Sequence, residues 1–201
     1  PVPGEDVMLT IDVRIQSVVE DVLRGERGAC VVMSPQNGDV LAIASAPAFD
    51  TTVLRSAARY KAAMQDPGRP MFNRAIAGAY PPGSTFKPVV AIAALEAGLA
   101  TAETVIDCPG YYAVGEAHFN CWRTIGHGPL DLRRSLEQSC NTYFIDLGVQ
   151  IGYERIFHMA NALGFGRPTG LGLRGEVSGL MPDDAWKRKK YRDGWRKGDT
   201  C

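Results

Sequence analysis

Apolar residues recur along this chain at two periods. Ile15, Val18, Val19, Val22 and Leu23 fall on the i, i+3, i+4, i+7, i+8 stripe of an amphipathic helix. Asp12 before the stripe is a good N-cap and Gly25 is placed to end it. A β-rich segment, residues 7–11, leads into this helix. Two further β-rich runs, 29–33 and 40–43, flank Ser34-Pro35-Gln36-Asn37-Gly38-Asp39. Asn-Gly between such runs predicts a hairpin, because both residues tolerate positive φ. The pattern then weakens. Residues 53–64 read as a short helix closed by the Asp66-Pro67-Gly68 turn. Beyond the rigid Tyr80-Pro81-Pro82-Gly83 loop, residues 84–99 read as an almost wholly apolar helix. Val89, Val90, Ile92 and Leu95 cover every face of it, which predicts a path through the core. Pro88 sits early, where a missing N–H costs least. Residues 104–129 read as a long loop carrying Gly, aromatics, two His and two Cys. Helical patterns return at 131–138, 142–150 and 153–163, with Gly164 as the C′ residue, and a loop at 166–170 closes that region. No internal repeat or low-complexity linker interrupts the chain.

Composition narrows the class. The chain has 201 residues, enough for one domain or one and a half. It is 45% hydrophobic and 22% charged, which excludes a disordered tail, a collagen-like repeat and a coiled coil. Lys plus Arg equals Asp plus Glu at 22 each, so no overall field draws the chain to nucleic acid or an anionic membrane. The longest strongly apolar run, 89–95, is far short of the roughly 20 residues of a membrane span. The opening Pro1-Val2-Pro3-Gly4-Glu5-Asp6 has neither the basic nor the apolar region of a signal peptide, as expected of a cytoplasmic protein or of a piece of a longer one. Residues 182–197 mix Trp186, Tyr191 and Trp195 with seven basic and three acidic residues. A net charge this small favours a solvated segment beside a cleft over a nucleic-acid stacking surface. Cys30, Cys108, Cys121, Cys140 and Cys201 are too few and too scattered for a disulfide scaffold.

Two short motifs carry possible chemistry. In Ser84-Thr85-Phe86-Lys87 the hydroxyl and the amine share a helix face. A serine needs a base to become a nucleophile, and a lysine serves only when neutral, a state that apolar burial favours. A helix N-terminus at Ser84 also places free N–H groups beside a developing oxyanion. In Ser139-Cys140-Asn141 a second hydroxyl and a carboxamide stand ready to relay a proton and hold a substrate amide. Each pattern alone is common by chance: the first equally fits a capping Ser with a snorkelling Lys, the second an ordinary inter-helix turn. Cys108, Cys121, His127 and Cys140 form a third group. Four such ligands suit a tetrahedral zinc site, although their spacing lacks a tight knuckle. A Cys108–Cys121 disulfide and unrelated buried thiols remain alternatives, and His118 is a rival histidine.

Taken together, Ser-x-x-Lys opening a buried helix and Ser-x-Asn about fifty residues later resemble the signature of serine β-lactamases and penicillin-binding proteins. Tyr80-Pro81-Pro82-Gly83-Ser84-Thr85-Phe86-Lys87-Pro88 strongly resembles the nucleophile motif of class B penicillin-binding proteins. Asn73-Arg74-Ala75, Gly126-His127-Gly128, the run from Gly164 to Gly170, Gly194-Trp195 and Gly198-Asp199-Thr200 also match, as does the opening from Asp6 to Asp12. The resemblance extends from Asp6 to the end. Within the family it is closest to the penicillin-binding protein 2 group, which serves cell elongation.

The resemblance implies an α+β fold of β-lactamase/transpeptidase type, an antiparallel five-stranded sheet flanked by helices with an all-helical subdomain. Residues 1–201 correspond to its N-terminal and helical part. The family's third motif, Lys-Thr/Ser-Gly, is absent, since none of the six Lys is followed by Thr-Gly or Ser-Gly. The chain stops before the C-terminal strands and is expected to be inactive or weakly active alone. The implied activity is peptidoglycan D,D-transpeptidation: Ser84 attacks the D-Ala-D-Ala carbonyl, Lys87 takes its proton, Ser139 protonates the leaving amine, and Asn141 orients Lys87 and the substrate. Implied partners are stem peptides, β-lactams as covalent inhibitors and a membrane glycosyltransferase of the elongation machinery, with no nucleic acid. The implied location is the periplasm, on an inner-membrane anchor outside this chain. Some members of the group carry zinc in this region, and Cys108, Cys121, His127 and Cys140 look like its ligands, which implies a structural ion. The nearest rival is a carboxypeptidase or β-lactamase using the same Ser84 and Lys87. A rival of another class is a non-catalytic, zinc-stabilised docking module.

Overall fold

A computed structural model describes residues 4–200, which form two compact units. The first comprises the chain up to Ala79 together with Gly172–Val177. It begins with helix α1 (Val13–Val22), whose N-cap Asp12 accepts the Arg14 N–H at 2.9 Å. Strands β1 (Gly28–Met33) and β2 (Val40–Ala46) pair antiparallel from Gly28↔Ala46 to Val32↔Ala42, with a bulge before Met33↔Val40. The hairpin is the predicted one, but only Gly38 takes positive φ, at +80°, where its N–H closes onto the Ser34 carbonyl.

The β-rich segment 7–11 is not a strand. It contributes only Thr10 Oγ1, donating to the Val40 carbonyl at 2.6 Å, and is followed by Asp12 N–H donating to the Leu41 carbonyl at 2.9 Å. One turn later the Gln16 carboxamide accepts the Ile43 N–H at 2.9 Å and donates to its carbonyl at 3.1 Å. A side chain thus stands in for a neighbouring strand along this edge of β2. The region 53–64 also differs from one helix. A 3₁₀ turn, Thr51–Arg55, gives way at Ser56 to α2 (Ala57–Gln65), because Ser56 adopts extended backbone and caps the new helix through its Oγ.

Helix α3 (Arg74–Ala77) carries a buried cation that the pattern of apolar residues does not announce. Arg74 is 7% exposed. Its guanidinium donates to the carbonyls of Gly68 (2.7 Å), Arg69 (3.1 Å) and Phe72 (3.3 Å), and its N–H donates to Ser45 Oγ on β2. The fork therefore closes the 68–72 turn from within.

The second unit, Tyr80–Leu171 with the chain from Ser178 onward, holds the larger core. The predicted helix 84–99 is a 3₁₀ turn, Gly83–Phe86, running into α4 (Lys87–Glu96). Val89, Val90, Ala91, Ala93 and Ala94 are buried, whereas Ile92 and Leu95 are exposed, so one face of this helix is open. The expected loop 104–129 contains short strands: β3 (Ile106–Cys108), β4 (Tyr111–Val114), β5 (Ala117–Asn120) and, at its end, β6 (Gly128–Leu130). β3 pairs with β6 and β4 with β5, all antiparallel. Among the described residues the strands make three two-stranded sheets, of which β1–β2 is the N-terminal pair expected of a chain that stops before the C-terminal strands.

Helices α5 (Leu132–Glu137), α6 (Asn141–Ile151) and α7 (Tyr153–Ala162) match the periodicity. Tyr143, Leu147 and Ile151, spaced by four on α6, are fully buried, and α4 packs on α6 and α7. The expected solvated segment near the end contains α8 (Asp184–Tyr191), capped by Asp183. Among the described residues no helix is long and apolar enough to cross a membrane.

Replacing Arg74 by Met keeps bulk but strands three carbonyls, and charged hydrogen bonds of this kind contribute about 1.5–3 kcal/mol. Arg74→Met is expected to lower unfolding free energy by about 2–3 kcal/mol. Urea denaturation measures this; a loss under about 0.5 kcal/mol would mean that water satisfies the turn equally well.

Candidate active site

Four of the predicted residues converge where α4 begins. The 3₁₀ turn exposes Ser84 at the surface, and one turn later Lys87 is half-buried against α6. Lys87 Nζ donates to the Ser139 carbonyl at 2.6 Å, to Ser139 Oγ at 3.0 Å and to Asn141 Oδ1 at 2.8 Å. Ser139 Oγ in turn donates to Ser84 Oγ at 2.9 Å. The expectation that Lys87 meets Ser84 across one helix face is thus modified. Ser139 Oγ stands between the two groups, bonded to each. Asn141 is held from its other side, its Nδ2 donating to the Asn120 carbonyl at 3.2 Å.

Ser139 owes its position to the end of α5. The Cys140 N–H donates to the Ser135 carbonyl and the Ser139 N–H to the Leu136 carbonyl, the paired bonds of a Schellman ending. In that motif the C′ residue is left-handed and usually Gly. Here it is Ser139, at φ +49°. A Cβ at that φ carries strain of about 1 kcal/mol or more, which persists only where neighbours over-determine the geometry. Cys140 then opens α6, its Sγ accepting the Tyr143 N–H at 3.5 Å.

Burial lowers the Lys87 pKa below the ordinary lysine value, while the Cys140 and Cys121 sulfurs oppose the shift. A depressed pKa enlarges the neutral fraction that can accept a proton.

The third predicted group also assembles. Cys108, Cys121, His127 and Cys140 offer ligand atoms all within 4.8 Å of one another. His127 Nδ1 lies 3.5 Å from Cys108 Sγ and 3.6 Å from Cys121 Sγ, and Cys121 Sγ lies 4.0 Å from Cys140 Sγ. A tetrahedral zinc has edges of about 3.6 Å between nitrogen and sulfur and about 3.8 Å between sulfurs, so the donor set fits. The three cysteines are free of disulfides. Burial, then the Arg123 and Lys87 cations, lower the His127 pKa and favour neutral imidazole, the ligand form. Burial opposes ionisation of Cys121, yet N–H donors of Arg123, Thr142 and Asn141 bring its thiol down to about 7. Burial raises Cys140. The rival His118 packs edge-on against Tyr111 instead.

Two glycines shape this loop. A Cβ on Gly126, at φ +78°, would lie 2.2 Å from the Cys108 carbonyl oxygen, and one on Gly110 equally close to that of Thr124. The backbones cross there, bringing Cys108 to His127, whose N–H bonds the Cys108 carbonyl at 3.0 Å.

With this geometry in place, comparison with known proteins is decisive. The penicillin binding protein transpeptidase domain matches residues 28–194. The chain belongs to this family. It is 40% identical to the peptidoglycan D,D-transpeptidase MrdA of Escherichia coli K12, over all of this chain and 32% of that protein. The crystal structure of Pseudomonas aeruginosa PBP2 in complex with WCK 5153 superposes with a TM-score of 0.94 at 40% identity, covering 100% of this chain and 45% of that one. The complex of Helicobacter pylori PBP2 with MreC gives 0.90 at 33% identity, covering 94% and 36%. The fold is thus the β-lactamase/transpeptidase-like fold of this transpeptidase family, and the chain spans about a third of the length of the curated relatives it matches.

Sequence reasoning missed Trp122, whose indole Nε1 donates to the Gln138 carbonyl at 2.9 Å beside Ser139. No spacing rule signals such a bond.

Gly126→Ala is expected to destabilise the protein by more than about 2 kcal/mol, since a backbone carbonyl must move. Thermal unfolding should register a drop of several degrees; an unchanged melting temperature would show that the crossing relaxes freely.

Proposed function

We propose that this chain forms part of a peptidoglycan D,D-transpeptidase acting in cell-wall elongation, with Ser84 as its nucleophile. The observation that carries the reading is the hydrogen-bonded chain Ser84 Oγ–Ser139 Oγ–Lys87 Nζ, closed by Asn141. Ser84 Oγ attacks the carbonyl of the D-Ala-D-Ala peptide bond while its proton passes through Ser139 to neutral Lys87. The proton returns through Ser139 to the departing D-Ala amine, and an ester remains on Ser84. The amine of a second stem peptide then attacks that ester, its proton follows the same route, and Ser84 is released as the cross-link forms. The exposed position of Ser84 suits a long peptide donor. Asn141, pinned by the Asn120 carbonyl, presents Oδ1 to Lys87 and orients it. A β-lactam enters by the same attack and keeps its leaving nitrogen tethered.

Homologues of this kind set the remaining proposals. The protein works on the periplasmic face of the inner membrane, beside a glycosyltransferase of the elongation machinery. Support comes from relatives named as transpeptidases and from a PBP2 neighbour captured with MreC.

We also propose a structural zinc held by Cys108, Cys121, His127 and Cys140. Four protein ligands leave no open position for water, so the ion would fasten Cys140, between Ser139 and Asn141, to the 104–130 region.

In the full-length protein, a fluorescent penicillin should label Ser84 covalently, and Ser84→Ala should abolish labelling. Lys87→Ala should slow acylation at least a hundredfold. Because burial depresses the Lys87 pKa, the acylation rate should climb with pH and level off below the ordinary lysine pKa. Labelling that survives Ser84→Ala would sink the assignment. For the metal, protein purified without added zinc should hold about one ion per chain, and Cys121→Ser should lose it together with β-lactam reactivity. A Cys108–Cys121 disulfide in metal-free protein, seen by mass spectrometry, would rule the zinc out.

A further inference from the structure

We infer that Trp122 is a positioning residue for the proton relay, acting on Ser139 through the Gln138 carbonyl; the inference rests on the transpeptidase reading above. Gln138 is the C-cap of α5. The Schellman bonds satisfy the Ser135 and Leu136 carbonyls and leave that of Gln138, which belongs to the same peptide plane as the Ser139 nitrogen. The Trp122 indole N–H fills this place at 2.9 Å. Rotation of that plane would change the Ser139 φ of +49°, and with it the direction of Oγ toward Ser84 and Lys87.

Burial does not account for Trp122. Its residue is 61% exposed, whereas a tryptophan recruited for packing hides its ring. The ring is instead steadied from one side by His127, edge-on with centroids 5.1 Å apart, and from the backbone by its neighbour Cys121, which is buried. An exposed ring anchored at its base and bonded at its tip to a strained turn is built to hold direction. The indole is rigid and donates only, so it cannot reverse the bond. Lys87 holds the next carbonyl, that of Ser139, at 2.6 Å. The two peptide planes flanking the Ser139 Cα are therefore each gripped from outside the turn, one by Trp122 and one by Lys87.

The consequence is specific to proton delivery. When nitrogen departs, Ser139 relays a proton twice, from Ser84 to Lys87 and back to the leaving amine; when a thiolate departs it relays only the first. Loss of the indole N–H should therefore slow reactions that expel nitrogen more than those that expel sulfur. Two changes in the full-length protein isolate the donor: Trp122→Phe, and replacement of Trp122 by 3-benzothienylalanine, which keeps ring shape and puts sulfur in place of N–H. Stopped-flow acylation by benzylpenicillin and by an acyl-D-Ala thioester analogue, with the non-covalent Kd separated from the acylation step, reads the effect.

The penicillin acylation step should slow about tenfold at unchanged Kd, the thioester step should slow less, by about threefold, and the melting temperature should stay within about 2 °C. Where Trp122→Phe is unstable, the benzothienyl protein decides. Equal losses on both substrates, a change confined to Kd, or parent rates in the benzothienyl protein overturn the inference while leaving Ser84 as nucleophile. A parent protein without Ser84-dependent acylation overturns the transpeptidase reading and this inference with it.

Discussion

The Lys87 ammonium is the point at which two parts of the second unit are joined. Its three acceptors come from Ser139 in the turn between α5 and α6 and from Asn141 at the start of α6, at 2.6–3.0 Å, while the lysine itself is the first residue of α4. Hydrogen bonds from a charged donor favour the ammonium; removal from water disfavours it. The balance falls toward a lowered pKa. That outcome is chemically useful because a fully stabilised ammonium would hold the turn well and accept nothing. A lysine near the balance point does both. It ties the start of α4 to Ser139 and Asn141 while remaining within reach of deprotonation.

Such a tie demands a turn that does not yield. Ser139 sits where glycine is the usual occupant, so its backbone has a standing tendency to relax. The resistance comes from several directions. The Schellman bonds fasten the turn to α5, Cys140 caps α6 through sulfur, and the Asn120 carbonyl fixes Asn141. Behind them Tyr143, Leu147 and Ile151 form a completely buried row along α6, and the Tyr143 hydroxyl donates to the Thr104 carbonyl at 2.8 Å. The sulfur cluster adds a link that chain order does not suggest, since Cys140 meets residues 108, 121 and 127. The strained serine is thus bracketed by a closely packed helix on one side and the Cys/His cluster of the 104–130 region on the other.

What could be read in the residues follows from the range of the forces involved. The helices α1, α5, α6 and α7 rest on apolar periodicity and local caps, so they were legible, as was the β1–β2 hairpin around Gly38. The quartet Ser84, Lys87, Ser139 and Asn141 was legible as a combination, because Ser-x-x-Lys and Ser-x-Asn gain meaning only when they occur together in order. Strands β3 to β6 were not. They are three or four residues long, too short for alternation to declare itself, and their pairing depends on the backbone crossing at Gly110 and Gly126. Helix α8 was hidden by a polar composition, although Asp183 was a readable cap. The four metal-ligand candidates were legible as donor types, but only the fold brings them within 4.8 Å. Neither the burial of Arg74 nor the bond from Trp122 to Gln138 has a local signature, because each depends on carbonyls freed by turns elsewhere in the chain.

Helix ends bear on the same balance at Lys87. α4 begins at Lys87 itself and α6 begins at Asn141, whose Oδ1 is 2.8 Å from Nζ. The N-terminal turn of a helix carries partial positive charge, equivalent to about half an elementary charge, and its influence fades within a turn. An ammonium beside two such ends meets positive potential from both, which favours the neutral amine. The same potential favours negative charge, and in the proposed reaction the oxygen of a carbonyl attacked by Ser84 would acquire it close to the start of α4. One arrangement of helix ends would therefore assist both halves of the proposed chemistry, withdrawing stability from the protonated base and lending it to the oxyanion. Exposed ends would do this weakly through water. The buried length of α6 behind Asn141 supplies the low-polarity surroundings in which the effect has force.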